Sequence, residues 1–113
     1  MVNNTTTKLD RVFGALSDPT RRRILERLSR GEVTVTELAE PFSSSLPAIS
    51  KHLRVLEGAG LIARRKSGRN RVCKMTPSAM EPAADWIEMY RRFWTVRLDA
   101  LEDMLNADKE TEE

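Results

Sequence analysis

Between Ser43 and Gly60 the chain carries small, polar and basic residues whose spacing suits recognition of a polyanion. Apolar residues recur three, four and three positions apart, as along one stripe of an α-helix: Leu46, Ile49, Leu53 and Leu56. At about 100° per residue, the other side carries Pro47, Ala48, Lys51, Arg54 and Val55, with Ser50 at its margin. Small residues permit close approach to a groove, and Lys and Arg can neutralise its phosphates. The spacing therefore predicts a helix over residues 45–58 that fits DNA.

Capping residues mark both ends of this predicted helix. Ser44 or Ser45 can serve as the N-cap, and Pro47 is tolerated in a first turn whose N–H groups lack helical partners. Gly58 and Gly60 can end the helix. An ordinary amphipathic surface helix has the same features, so the neighbouring elements must decide between the two interpretations.

Two helices are predicted in the first 30 residues. A polar, Thr-rich lead over residues 1–8 is expected to be flexible, and a short helix then ends near Ser17. The apolar positions of this short helix are Leu9, Val12, Phe13 and Leu16. Asp18 as N-cap and Pro19 at the first helical position start a second helix, which stops at Gly31. Four arginines lie mostly on its outer side, as a solvated face or as phosphate contacts: Arg21, Arg22, Arg23 and Arg27.

A third short helix completes a helix-turn-helix pattern. Thr34 and Glu37 fit a capping box, although Thr36 is an alternative cap. The helix is expected to contain Leu38, Ala39 and Phe42. Residues 43–45 then form the turn into the helix over 45–58. Two short helices joined by a tight turn, the second with a basic outer face, are typical of DNA-binding proteins, although this turn lacks a glycine.

A basic β-hairpin is predicted directly after this helix. Two strand-like runs, residues 61–66 and 71–76, flank the turn residues 67–70. Six basic residues lie within this hairpin: Arg64, Arg65, Lys66, Arg69, Arg71 and Lys74. An edge hairpin can carry single Lys or Arg residues to prevent aggregation, but six of them favour a wing. Such a wing runs along the DNA backbone or inserts an arginine into the minor groove.

A long amphipathic helix is predicted from near Ser78. Its apolar residues repeat at fours and threes and are widened by further large side chains: Ala83, Ile87, Tyr90, Trp94, Leu98, Leu101 and Leu105, with Trp86, Phe93, Val96 and Met104. Such a helix is roughly 40 Å long, so a small domain cannot cover its whole apolar side. We therefore expect burial against a second copy of the chain, although folding back on its own domain would explain part of the stripe. The charged tail, residues 106–113, is expected to fray.

Composition limits the possible classes of protein. A chain of 113 residues fits one small domain, and no apolar stretch approaches the roughly 18 residues that a membrane span requires. We expect a soluble, cytoplasmic protein with no membrane partner. The single Cys73 excludes an internal disulfide and any multi-cysteine metal cluster within one chain.

The charge is unevenly divided along the chain. The whole chain carries a net +2, but residues 1–76 hold 15 Lys and Arg against 7 Asp and Glu. Residues 77–113 hold 4 against 10. This asymmetry indicates a polyanion-facing body and an acidic end kept away from it.

Three segments make the chain similar to a known family. They are Leu16–Leu25 (LSDPTRRRIL), Leu46–Ile62 (LPAISKHLRVLEGAGLI) and the basic hairpin. From about Leu9 to Leu105 the chain resembles the ArsR/SmtB family of winged-helix transcriptional repressors. The resemblance implies a helix from about Ser45 in successive major grooves and a wing near Gly68 on the flanking backbone. It also implies repression that some signal relieves.

The resemblance further implies a homodimer held by the first and last helices. The residues then expected at the interface are Leu9, Val12, Phe13, Trp86, Ile87, Tyr90, Phe93, Trp94, Leu98 and Leu101. The aromatic last helix could also line a pocket for a small-molecule inducer, although core packing explains the same residues.

The chain departs from the family pattern at its metal-sensing positions. Metal-sensing relatives place a cysteine pair where this chain has Thr34 and Thr36, and neither threonine is a thiolate ligand. Other relatives bind zinc with carboxylates and histidines of the last helix, but residues 78–105 contain no histidine. Cys73 is interpreted as a small buried side chain and His52 as a structural hydrogen-bonding residue rather than a base contact. No metal or other cofactor is expected.

The sequence thus predicts a mainly α, winged helix-turn-helix protein with about five helices and a two-stranded wing. The DNA-binding domain is expected over residues 9–77 and the dimerisation helix over residues 78–105. The predicted function is a sequence-specific, double-stranded DNA-binding repressor acting on an inverted repeat. The alternative is a winged helix for protein interaction or RNA binding. No phosphate loop, histidine pair or nucleophile with a base predicts an enzyme.

The predicted DNA contacts come from the helix and the wing. Lys51 and Arg54 can reach guanine acceptors, and the small residues permit close approach or contact with thymine methyl groups. The full set is Ser44, Ser45, Pro47, Ala48, Ser50, Lys51, Arg54, Lys66, Arg69 and Arg71.

Overall fold

The computed structural model describes residues 4–111, with the side chains of residues 7–109, as five α-helices and one antiparallel sheet. The elements in chain order are α1 Asn4–Leu16, α2 Pro19–Leu28, β1 Val33–Thr34, α3 Val35–Ala39, α4 Leu46–Gly58, β2 Ile62–Ser67, β3 Asn70–Met75, a 3-10 helix Pro77–Met80 and α5 Glu81–Thr111. One compact unit ends at Ala83 and a second begins at Ala84. No described helix combines the length and apolarity needed to cross a membrane.

Side-chain caps begin three helices where the sequence predicts them. The Asp18 carboxylate accepts the Arg21 N–H at 3.1 Å, and Pro19 is the first residue of α2. Thr34 rather than Thr36 caps α3 and accepts from Glu37 at 3.2 Å. Ser45 caps α4 and accepts the Ala48 N–H at 3.3 Å. The bounds of α4 therefore confirm the helix predicted over 45–58, with Ser45 as its cap.

Several predicted boundaries are wrong. The first helix begins at Asn4, inside the lead predicted as flexible, and α5 continues to Thr111, inside the tail predicted to fray. Extending an existing helix by a residue avoids the unfavourable nucleation step, so helices can continue into polar segments. Ala107 and Lys109 in the last segment are also good helix formers. Residues 1–3 and 112–113 of these two segments lie outside the described residues. The helix α3 ends at Ala39, so Phe42 follows it rather than belonging to it.

The last helix begins later than predicted because of Pro82. A continuous α-helix from Ser78 would place the Pro82 ring against the Ser78 carbonyl, and proline has no N–H to donate to it. Residues 77–80 instead form a 3-10 helix, and the N–H of Glu81 donates to the Ser78 carbonyl. Pro82 then lies in the first turn of α5, where its missing N–H costs no helical hydrogen bond.

The sheet contains the predicted hairpin and a third strand. Strands β2 and β3 pair from Ile62 with Met75 to Ser67 with Asn70. Gly68, in the two-residue turn, has a φ of +62°, which glycine adopts without the cost that a side chain brings. Strand β1 pairs with β3 and gives the order β1-β3-β2, so Val33 and Thr34 add a short third strand to the predicted hairpin.

The core of the first unit is built from one side of α4. Ile49, Leu53 and Leu56 are fully buried together with residues of α1, α2, α3 and the sheet. Leu46, predicted on the same stripe, is 51% exposed because it is the first residue of the helix. Val12 is 1% exposed and packs in this core, so the single chain leaves little of its side chain for the predicted dimer contact. Leu9 and Phe13 are partly buried against the core.

The second unit is the part of α5 from Ala84 onward. The predicted interface residues of this helix are exposed, from 42% for Trp86 and Tyr90 to 60% for Leu98: Trp86, Ile87, Tyr90, Phe93, Trp94, Leu98 and Leu101. Trp86 and Tyr90 have ring centroids 4.5 Å apart, and Phe93 meets Trp94 edge-on at 5.4 Å. The Arg97 guanidinium lies 4.2 Å from the centre of the Phe93 ring.

A pair of leucine substitutions tests the core assignment on α4. Leu53→Ala should lower the free energy of unfolding by about 3 kcal/mol, because it leaves a cavity among fully buried side chains. Leu46→Ala removes the same atoms from a half-exposed site and should cost less than about 1 kcal/mol. Urea denaturation at one protein concentration measures both, and equal losses would contradict the assignment.

Acidification tests the Asp18 cap. Hydrogen bonding to the Arg21 N–H is the main cause that holds the pKa of Asp18 below its ordinary value of 3.8. A depressed carboxyl pKa stabilises the fold above the pKa of the unfolded state, and this stability is lost as the pH falls through the folded pKa. Asp18→Asn keeps an acceptor oxygen but cannot titrate. The wild type should be more stable than Asp18→Asn at about pH 6, and this difference in unfolding free energy should narrow as the pH falls to about 3. A difference that stays constant would contradict an ionised cap.

Candidate nucleic-acid interface

The outer side of α4 is open to solvent. Ser44, Ser45, Pro47, Lys51 and Arg54 are exposed. Ala48 and Ser50 are half-buried at the margins of the helix. Because the opposite side of α4 is locked into the core, these side chains keep a fixed direction relative to the fold. Among the described residues Lys51 and Arg54 have no ion-pair partner, so both cations are available to an anionic ligand.

The wing carries two classes of basic residue. Lys66, Arg69 and Arg71 are exposed and form no ion pair within the described chain. Arg65 is instead paired with Glu32 at 2.8 Å, and Arg64 with Glu57. The hairpin therefore offers fewer cations to a ligand than its composition indicates.

The Arg64–Glu57 pair ties the wing to the end of α4. Nε and Nη2 of Arg64 donate to the two carboxylate oxygens of Glu57 at 3.2 and 3.0 Å. This hydrogen bond lowers the pKa of Glu57 and raises the pKa of Arg64 above their ordinary values. A planar, two-point contact of this kind fixes orientation as well as distance. The predicted recognition helix and the wing are thus held in one arrangement.

Three arginines of α2 make contacts within the fold that the sequence did not predict. Arg21 donates to the carbonyls of Ala15 at 2.7 Å and Gly14 at 3.2 Å, and Arg22 donates to Leu16 at 2.7 Å. These carbonyls end α1, where cations stabilise the unpaired groups of a helix C-terminus. The Arg23 guanidinium lies 4.7 Å from the centre of the Phe42 ring. These three arginines therefore join elements of the fold, although Arg22 and Arg23 remain exposed on the outer side of α2.

His52 belongs to the same structural network, as the sequence predicts. Its Nδ1 lies 3.3 Å from Nη1 of Arg21 and 3.9 Å from Oδ2 of Asp18. Because arginine can only donate, Nδ1 of a neutral His52 accepts this hydrogen bond. The contact connects α4 to the N-cap of α2.

The structure brings some predicted contact residues together and separates another. Ser50, Arg69 and Arg71 line one cavity of about 290 Å³, with Thr34, Val35, Thr36, Arg64 and Asn70. Arg54 lies elsewhere, on an open groove between α1 and α4 with Arg11, Gly14 and Val55. The candidate interface therefore has a polar part between helix and wing and a less polar part beside α1.

Cys73 is fully buried in β3, as the sequence predicts for a small core side chain. Burial raises the pKa of its thiol above the ordinary value of 9.0, so the thiol stays protonated at neutral pH. Across the described residues no group of three or more His, Cys, Asp or Glu side chains is placed to hold a metal ion.

Sequence reasoning missed the residues that join the elements of this interface. Glu57 and Arg64 are seven positions apart on different elements, and Arg21 and His52 are 31 apart. No helical or strand period predicts such pairs. The sequence indicates Thr34 and Thr36 as possible caps of the third helix and as unsuitable metal ligands, but not that both line the cavity beside the wing.

Comparisons with known proteins agree with this architecture. A helix-turn-helix domain model matches residues 16–65. The HTH-type transcriptional regulator Rv2034 of Mycobacterium tuberculosis is 37% identical over 88% of this chain and 90% of its own length. The transcriptional repressor SdpR of Bacillus subtilis is 35% identical over 70% of this chain and 88% of its own.

A solved structure extends the similarity to three dimensions. The crystal structure of the ArsR family transcriptional regulator RHA00566 superposes with a TM-score of 0.74 at 40% identity, covering 84% of this chain and 97% of that one. With its fold, its signature segment and near full-length relatives in agreement, the chain belongs to the ArsR/SmtB family of winged helix-turn-helix transcriptional regulators.

Proposed function

We propose that this protein is a repressor that binds double-stranded DNA as a homodimer, with α4 in the major groove and the wing on the backbone or in the minor groove. The observation that carries the proposal is the set of exposed cations on α4 and the wing that have no ion-pair partner within the described chain: Lys51, Arg54, Lys66, Arg69 and Arg71. The proposal places the protein in the cytoplasm and includes no catalytic step, cofactor or membrane.

The two elements have different proposed roles. Lys51 and Arg54 on α4 contact base edges, and Pro47 and Ala48 allow the helix to approach them closely. Lys66, Arg69 and Arg71 neutralise phosphates, which position the protein but carry no sequence information. The Glu57–Arg64 pair keeps the two sets of contacts in register.

The relatives favour this proposal over the alternative of a winged helix that binds protein or RNA. SdpR is named as a transcriptional repressor, and an arsenical resistance operon repressor of Staphylococcus xylosus is 35% identical over 60% of this chain. Sequence-dependent affinity for duplex DNA would separate the two functions.

Dimerisation is supported by the exposed apolar side of α5. Among the described residues of this helix, eleven large apolar side chains are at least 42% exposed in the single chain, and such a surface is costly to leave in water. A two-fold dimer places two recognition helices about one turn of DNA apart, so the binding site should be an inverted repeat.

Fluorescence anisotropy on the DNA upstream of the protein's own gene and on a scrambled duplex tests the assigned contacts. Lys51→Ala and Arg54→Ala should each cost about 1–3 kcal/mol on the specific duplex and less on the scrambled one. Arg69→Ala should weaken both duplexes alike and reduce the slope of log affinity against log salt by about 1.

The matched control for these variants is Arg30→Ala. Arg30 is exposed at the end of α2 and faces Glu26 at 3.9 Å, so its loss should leave both affinities unchanged. The proposal fails if the wild type binds both duplexes equally and weakly. The division of roles fails if all three variants lose affinity equally on both duplexes.

The mass in solution tests the dimer. Leu101→Asp introduces a charge into the exposed apolar side of α5 and should halve the mass measured by sedimentation or light scattering. Thr95→Asp introduces the same charge on the opposite, polar side of this helix and should leave the mass unchanged. A wild-type protein that is monomeric at micromolar concentration would refute the dimer.

A further inference from the structure

The cavity between α3, α4 and the wing has an unusual lining. Its polar side chains come from three separate parts of the chain and comprise hydroxyl groups, one amide and guanidinium groups: Thr34, Thr36, Ser50, Asn70, Arg64, Arg69 and Arg71. Within the described chain, none of the lining residues is acidic. Its volume of about 290 Å³ corresponds to roughly ten water molecules, so the cavity has room for a solvated anionic group.

The positive charge of this cavity is only partly neutralised. Arg64 is held by the Glu57 carboxylate through two hydrogen bonds. Arg69 and Arg71 have no ion-pair partner in the described part of the chain and are exposed. Glu57 attracts Arg71 electrostatically but forms no direct ion pair with it, so the guanidinium groups of Arg69 and Arg71 remain available to an oxyanion.

The hydroxyl groups that line the cavity add neutral donors. The Thr34 hydroxyl oxygen accepts the Glu37 N–H, which leaves the Thr34 O–H to donate elsewhere. Thr36 is exposed on α3, and Ser50 is half-buried on α4. A phosphate has enough acceptor oxygens to bind hydroxyl groups on one side and guanidinium groups on the other.

We propose that this cavity seats one backbone phosphate of the bound DNA, with Thr36, Ser50, Arg69 and Arg71 as hydrogen-bond donors. The proposal rests on the proposed function and extends it to Thr36. The location favours a phosphodiester of DNA over a free oxyanion, because the cavity opens between the two elements that the proposed function places on the duplex. The seated phosphate joins α3, α4 and the wing.

Thr36 offers the sharpest test, since it is exposed and does not cap α3. Thr36→Val removes only the hydroxyl group and should weaken binding about fivefold to tenfold on specific and scrambled duplexes alike, because phosphate contacts do not depend on sequence. Thr36→Ser keeps the hydroxyl group and should bind as the wild type does. Thr95→Val, an identical change on the exposed polar side of α5, should have no effect.

Duplexes with single methylphosphonate substitutions identify the phosphate. At one phosphate in each half-site, the substitution should lower the DNA affinity of the wild type about tenfold. The same substitution should lower the affinity of Thr36→Val little further, because both changes remove the same contact. Equal binding by Thr36→Val and wild type, or additive losses at every phosphate, would overturn the inference. Neither of those results would affect the preference of the wild type for the specific duplex, which tests the proposed function separately.

Inorganic phosphate tests whether the cavity binds a free oxyanion instead of a DNA phosphate. At constant ionic strength, millimolar phosphate should not raise the melting temperature of the wild type above that of Thr36→Val. If it does, and Thr36→Val binds DNA normally, the cavity holds a free oxyanion and the inference is wrong. A wild type that binds no duplex at all would refute the inference and the proposed function together.

Discussion

The complete burial of one side of α4 is the constraint on which the rest of the structure depends. Ile49, Leu53 and Leu56 are 0% exposed and pack among residues from every other element of the first unit. A helix held in this way cannot rotate about its axis without exposing large apolar side chains, at about 25 cal/mol for each Å². The direction of Lys51 and of the small residues before it is thus set by the core. Core packing alone is therefore enough to orient α4 for recognition.

Arginine has two separate uses in this protein, and they account for the high positive charge of residues 1–76. Arg21 and Arg22 bind the carbonyls that end α1, while Arg64 holds a carboxylate of α4. Arginine suits these positions because its fixed, multiple donors satisfy several acceptors at once. On α4 and the wing, Lys51, Arg54, Lys66, Arg69 and Arg71 are exposed and have no ion-pair partner within the described chain, so their charge can serve binding. The net charge alone would overstate the charge available for binding, because carboxylates and carbonyls of the fold already hold some of the arginines.

Local chemistry made the main elements predictable, and long-range pairing did not. The bounds of α4 follow from Ser45, Pro47 and the glycines after residue 57, because capping and helix termination act within a few residues. The hairpin follows in the same way from its turn. Which threonine caps α3 could not be decided locally, since Thr34 also pairs with Val72 in the sheet. Likewise, the burial of Val12 and the exposure of Leu46 depend on three-dimensional packing.

The candidate site shows the same division between local and long-range information. Composition identified the helix and the wing as basic, but only the fold shows that Ser50, Arg69 and Arg71 share a cavity with Thr34 and Thr36. Cysteines at the two threonine positions would offer soft, thiolate ligands, whereas threonine hydroxyl groups can donate hydrogen bonds to an oxyanion. On the proposed function, this backbone location beside the recognition helix therefore serves contact with the DNA backbone.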